Sequence, residues 1–236
     1  NDYLGGHTHT HDIELDGRYH AVDTGFIVHN PVHYPLLTRL FDELGVASQP
    51  TKMSFSVHSE ASGLQYNAAS LDTLFCQRRN LVSPRFIGLV RDLFRFYREA
   101  PALLTSTGPG PTLGDWLAER RYGTAFRDEH LVPMASALWS SPATQIQSFP
   151  ARHLVQFMAN HQMLQAEQRP EWRVVRGGSA TYVRAMRRYW QVNERLNSPV
   201  RAVRRDDRGA TVASDDGVER FDEVVLACHS DQALAL

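Results

Sequence analysis

The chain has 236 residues, 25 basic and 26 acidic side chains and a formal net charge of −1, so no global field favours a polyanion such as nucleic acid. Its 42% hydrophobic and 22% charged content is ordinary for a globular chain, and no apolar run approaches the roughly 18 residues of a membrane span. Cys76 and Cys228 stand far apart in apolar stretches, which predicts reduced thiols and a cytoplasmic setting rather than a disulfide framework.

Near its start the chain carries Leu4-Gly5-Gly6-His7-Thr8-His9-Thr10. A paired glycine ahead of a strand marks backbone that passes close to something else, because only glycine removes the side chain from the approach. Residues 12–15 and 19–22 flank Asp16-Gly17 and read as a hairpin. Residues 31–44 carry Leu36, Leu37, Leu40, Phe41 and Leu44 at helical spacing, ended by Gly45. Residues 53–57 and 64–67 read as short strands. From Pro84 onward helices dominate, with Phe86, Ile87, Val90, Leu93, Phe94 and Tyr97 predicted on one face. Residues 105–111 form a Gly/Pro loop, after which Thr112 is a helix cap with Asp115 three residues on. Further helices are predicted near residues 124–139, 150–164 and 179–190. The last third returns to strands at 200–205, 210–214 and 220–227, separated by Asp206-Asp207-Arg208-Gly209 and Asp215-Asp216-Gly217. Val224-Val225-Leu226-Ala227 is continuously apolar, the pattern of a parallel strand buried on both faces. No repeat and no low-complexity tract interrupts this order.

These elements predict an α/β fold with an α+β second part: residues 1–48 and 173–236 as α/β pieces and 49–172 as an inserted, mainly helical block. His7, His9 and His11 alternate, so on a strand all three face one side. With Asp12 and Glu14 nearby they keep open a zinc- or iron-dependent enzyme as an alternative. Arg176-Gly177-Gly178-Ser179 opens a helix, where free N–H groups bind anions, or where Ser179 is simply the cap. Tyr66, Trp139, Phe149 and Trp172 are candidates for an aromatic substrate cavity, although large aromatics are more often core.

Gly5, Gly6 and Thr10 resemble the Gly-Gly-Arg-x-x-Thr turn of the flavin-dependent amine oxidase superfamily, with His7 at the arginine position. That superfamily includes monoamine and polyamine oxidases, protoporphyrinogen oxidase and carotenoid desaturases, and the likeness extends to bacterial amine-oxidase-like proteins. It implies a partial FAD/NAD(P)-binding, Rossmann-like domain around a helical substrate domain, FAD as cofactor, and hydride transfer to flavin N5 from an amine or an unsaturated, lipid-like molecule. It implies that Gly5, Gly6, His7 and Thr10 border the flavin dinucleotide and that Thr24, Gly25, Phe26 and Ile27 line its ring. Val200, in Asn197-Ser198-Pro199-Val200, matches the valine that meets adenine, and the backbone of Ala227 and Cys228 borders the cofactor. Tyr66 and Trp139 then belong to the substrate pocket. The family's G-x-G-x-x-G phosphate loop is not in these 236 residues, so the chain reads as a fragment lacking both ends, and the lysine several members use near the flavin is expected beyond Leu236. No catalytic residue is assigned and no metal is expected. A non-catalytic binding module on the same fold is the other alternative; a small-molecule substrate is the expected partner.

Overall fold

A computed structural model describes residues 2–105, 107–108, 110–165 and 170–236. Residues 106 and 109 of the Gly/Pro loop, and 166–169 of the inserted block, lie outside the described residues. The chain divides into two compact units. The first contains residues 1–27, 39–48 and 174–236, and the second residues 28–38 and 49–173. The segment 28–38 belongs with the helical unit because His29 pairs antiparallel with Arg173 and Tyr34 Oη lies 3.2 Å from His161 Nε2.

In the first unit the hairpin of β1 (Thr10–Leu15) and β2 (Arg18–Asp23) forms in the register Leu15↔Arg18. Asp16 and Gly17 take φ of +52° and +71°, the doubly positive turn whose twist matches the strands it joins. Helix α1 (Pro35–Glu43), which begins in the second unit, ends in a Schellman motif. Gly45 has φ +66°, Val46 N–H donates to Phe41 O at 2.8 Å and Gly45 N–H to Asp42 O at 3.2 Å. Phe41 and Val46 are both buried, the apolar contact that accompanies this cap.

The second unit carries most of the core. After β3 (Ser48–Thr51), the strands β4 (Ser56–Ser59) and β5 (Leu64–Asn67) pair antiparallel. Helix α2 (Leu71–Leu74) is a single turn with a Ser70/Thr73 capping box. Helix α3 (Pro84–Glu99) starts on Ser83, whose hydroxyl accepts Phe86 N–H, with Pro84 in its first turn. It buries Phe86, Leu89 and Phe96, with Leu93 partly buried between them. The predicted face is thus shifted: Ile87 and Phe94 are 50% and 56% exposed, because the buried positions follow the i, i+3, i+7, i+10 stripe. Helices α4 (Leu113–Glu119), α5 (Thr124–Phe126), α6 (Val132–Trp139), α7 (Ala143–Ile146) and α8 (Ala151–Asn160) complete the block. Thr112 caps α4 as predicted, accepting Asp115 N–H at 3.1 Å.

The chain then passes through β6 (Trp172–Val175) into α9 (Ala180–Met186) and an antiparallel meander of β7 (Val200–Asp206), β8 (Gly209–Ser214) and β9 (Gly217–Phe221). Gly209 is required at its turn, since a Cβ there would lie 2.4 Å from Phe221 O. Residues 224–227 do not form the predicted buried parallel strand. They are irregular, Val225 is 89% exposed, and only the short helix α10 (Ser230–Ala235) follows. A strand buried on both faces needs a partner on each side, and no described strand pairs with this run. Cys76 and Cys228, expected in apolar surroundings, are both exposed free thiols.

Candidate functional site

In the first unit the glycine pair makes a turn. Gly5 and Gly6 have φ of +116° and +55°, and Thr8 N–H closes the turn on Gly5 O at 2.8 Å. The backbone then runs beside residues 24–26: Thr24 N–H donates to His9 O at 3.1 Å and Phe26 N–H to His7 O at 2.8 Å. This approach explains the glycine at 25, where a Cβ would lie 2.0 Å from His7 O. Gly6 is different. A Cβ there would meet nothing within 4 Å, so its bare backbone borders open space. Two motifs separated in the sequence thereby form one strip, with Gly5, Gly6, His7, Thr24, Gly25 and Ile27 exposed. Phe26 is half-buried, edge-on to Tyr182 with ring centroids 6.2 Å apart. The C-terminal segment reaches the strip through His229, whose Nε2 is 3.1 Å from His7 Nε2. One imidazole must carry its proton there and the other accept it. Ala227 and Cys228, next in the chain, are exposed, and Val200 is the first residue of β7, beside a register shift.

Thr10 turns the other way, into a polar network centred on Asp23. Its hydroxyl donates to Asp23 Oδ1 at 2.6 Å and accepts Ala180 N–H at 2.9 Å. The Asp23 carboxylate also accepts Ser179 N–H at 2.9 and 3.0 Å and the Ser179 hydroxyl at 2.8 Å. The start of α9 is therefore capped by a carboxylate 156 residues away, which satisfies orphan amides and complements the helix dipole. The anion-binding alternative for Arg176-Gly177-Gly178-Ser179 is excluded by this arrangement, because the Ser179 and Ala180 amides already have acceptors. Gly178, at φ +86°, lets Thr10 approach: a Cβ there would lie 2.3 Å from Thr10 Cγ2. Beside the network, buried Thr8 hydrogen-bonds the Tyr182 hydroxyl, and Tyr182 packs on Phe41 with centroids 5.4 Å apart.

The histidines do not converge as ligands. His9 stacks on Tyr3 at 4.3 Å and tilts against His11 at 4.2 Å, while His20 pairs with Ile13. Among the described residues no three His, Cys, Asp or Glu side chains form a group that could hold a metal ion.

A family model described as flavin containing amine oxidoreductase matches residues 1–235. The chain belongs to the flavin-containing amine oxidoreductase family. Members of this family are oxidoreductases that carry flavin. The structure of cyclohexylamine oxidase from Brevibacterium oxydans IH-35A is similar with a TM-score of 0.70 at 20% identity, over 93% of this chain and 49% of that one. Putrescine oxidase bound to putrescine gives 0.64 at 21% identity, over 94% and 49%. A fatty acid isomerase from P. acnes gives 0.58 at 14% identity, over 99% and 52%. The chain therefore shares the fold of these proteins and spans about half their length. No curated protein matches it in sequence.

Within this amine oxidoreductase chain, the two pocket candidates lie in the helical unit, Tyr66 in its hydrophobic core and Trp139 packed against that core. Trp139 is half-buried against Phe149, His153 and Phe157, at centroid distances of 5.6, 6.1 and 5.3 Å. Tyr66 is a core residue, 2% exposed. Pro133 has no N–H to give the Glu129 carbonyl four residues back, and residues Arg127–Leu131 widen into a π turn. The Tyr66 hydroxyl donates to that carbonyl at 2.9 Å and so accepts from His130 Nδ1 at 2.8 Å. Burial, reinforced by the Glu129 charge, pushes the Tyr66 phenol well above its ordinary range. No helix among the described residues is long and apolar enough to cross a membrane.

The partners of Asp23 and Tyr182, and the pairing of His33 with His161, were not legible in the sequence. Asp23 and Ser179, and Tyr182 and Thr8, stand more than 150 residues apart, and no local pattern signals them. His33 Nδ1 meets Asn30 Oδ1 at 2.9 Å and its ring stacks on His161 at 5.4 Å. Burial first, and the neighbouring His161 second, hold the His33 imidazole below its ordinary value. His33 fell inside the run 31–44 read at helical spacing, whereas α1 begins only at Pro35.

Proposed function

We propose that this chain forms the flavin-contacting part of an FAD-dependent oxidoreductase that removes hydride from a carbon–hydrogen bond beside an amine. The observation that carries the reading is the strip of Gly5-Gly6-His7 against Thr24–Ile27, in which Gly25 is filled by the chain's own backbone while Gly6 borders open space. A bare peptide at positive φ beside exposed backbone fits the face of a flat ring or a sugar, which a side chain would hold off. Bound flavin would supply the hydride-accepting centre. The chain's residues supply position and environment. Gly5 and Gly6 admit the cofactor to contact, and the His7–Phe26 hydrogen bond keeps the two halves of the strip in register. Phe26 and Ile27 offer apolar surface that excludes water from the ring. His7 and His229 draw the backbone of Ala227 and Cys228 to the same edge, and Val200 borders the adenine. Residues 1–48 and 173–236 then make up the cofactor domain and 49–172 the substrate domain, with Tyr66 and Trp139 supporting the substrate side.

An amine is favoured over an unsaturated or lipid-like substrate. The two amine oxidases have TM-scores of 0.70 and 0.64, against 0.58 for the fatty acid isomerase. The test is anaerobic mixing of the flavin-loaded protein with putrescine, cyclohexylamine or linoleate. Bleaching of the flavin by an amine supports the reading; bleaching by linoleate alone, or by none of the three, contradicts it.

A further inference from the structure

The helical unit holds a cavity of about 220 Å³ that the flavin reading does not use. Leu64, Phe86, Leu89 and Ala125 give it an apolar side, and Arg79, Arg85 and Glu129 line it with charge. Glu129 is deeply buried, its side chain 6% exposed, and one of its oxygens, Oε2, accepts both Arg85 Nε at 3.2 Å and Arg85 Nη2 at 3.0 Å. That pair neutralises itself. Arg79 is held differently: its Nη2 donates to the neutral Gly63 carbonyl at 2.9 Å. Gly63 O also accepts Gln77 Nε2 at 2.9 Å, and Gln77 Oε1 accepts Gln65 N–H at 3.0 Å, so the short 3-10 turn Arg78–Val82 that presents Arg79 is braced at its start. Among the described residues no carboxylate lies within ion-pair distance of Arg79. Two guanidinium groups and one carboxylate leave the lining with one uncompensated positive charge.

We propose that this cavity binds a small carboxylate, its apolar body of one ring or a short chain resting on Leu64, Phe86, Leu89 and Ala125 and its carboxylate paired with Arg79. The volume lies below that of sites for drug-sized ligands, which selects a fragment-sized molecule. A planar guanidinium pinned through one N–H keeps its other donors for a carboxylate. A cationic ligand is disfavoured because Glu129 already has its counter-charge in Arg85. No residue of the flavin strip lines this cavity.

Fluorine NMR titration of the purified protein with para-fluorobenzoate, para-fluorobenzamide and para-fluorobenzylamine tests it. Benzoate is expected to bind, with the neutral and cationic analogues at least roughly tenfold weaker. Arg79→Gln, an exposed substitution that leaves the thermal midpoint in place, is expected to weaken benzoate binding by about tenfold or more. Equal binding of the three probes, preference for the amine, or benzoate binding unchanged in Arg79→Gln overturns the proposal.

Discussion

Replacing Asp23 by alanine removes the acceptor on which the start of α9 depends. Ser179 is fully buried, and both its N–H and its hydroxyl end on the Asp23 carboxylate. Each buried donor left unmatched costs about 1–3 kcal/mol, so Asp23→Ala is expected to lose about 2–5 kcal/mol. Asp23→Asn keeps one carbonyl oxygen for the Ser179 amide and loses the charge, which lowers the cost to about 1–2 kcal/mol. In a chain of this size each kcal/mol moves the midpoint by about 2–4 °C, so the alanine variant melts at least about 4 °C lower. The local readout is hydrogen exchange. The Ser179 and Ala180 amides are slow in the parent and open by at least roughly thirtyfold faster in Asp23→Ala, since about 2 kcal/mol corresponds to that factor. A change below about 0.5 kcal/mol, with exchange at 179 and 180 unaltered, would refute the claim that this carboxylate holds the helix.

Gly25→Ala drives a methyl into His7 O and is expected to cost more than about 2 kcal/mol in urea denaturation, whereas Gly6→Ala, strained only by its φ, costs about 1 kcal/mol; equal costs would contradict the geometry of the strip. Tyr66→Phe strands the Glu129 carbonyl, so it lowers stability by about 1–3 kcal/mol. An unchanged urea midpoint would contradict the buried hydrogen bond from Tyr66 to that carbonyl. Burial, aided by Arg173 and by His161 respectively, holds His29 and His33 below the ordinary 6.5. Their folded forms bind fewer protons than the unfolded chain below that value, so stability rises with pH through this window and is lost as pH falls beneath about 6.5. Urea midpoints across that range check the slope, and one flat or inverted in the parent, or unaltered in a His29→Gln, His33→Gln double variant, opposes the assignment.

Local signals carried the hairpin at Asp16-Gly17, the cap at Gly45 and the Thr112/Asp115 start, because each depends on residues within a few positions. The glycine pair and Thr24–Ile27 were each legible as motifs. Their joining was not, since a backbone pairing between residues 7–9 and 24–26 leaves no trace except the glycine at 25. Residues 224–227 show the limit of an apolar run: it records that burial suits the side chains, not that neighbours are present to bury them. Tyr66 is the complementary case, an aromatic whose place follows from Pro133, 67 positions later, through a carbonyl that the proline leaves without a donor. The Arg79 cavity had no sequence signal at all, because Arg79 and Arg85 are six positions apart and only the structure shows one held by the Gly63 carbonyl and the other by Glu129.

The flavin strip is tested most directly by FAD retention in the purified protein, its Gly6→Val variant and a Gly17→Val control. Gly17 has φ +71° and, like Gly6, open space where a Cβ would stand, so the control carries comparable backbone strain away from the strip. The account predicts visible flavin absorption, bleached by dithionite, in the parent and in Gly17→Val, and its loss in Gly6→Val. A parent protein that neither holds nor takes up FAD, or a Gly6→Val variant that retains as much as Gly17→Val, would contradict it.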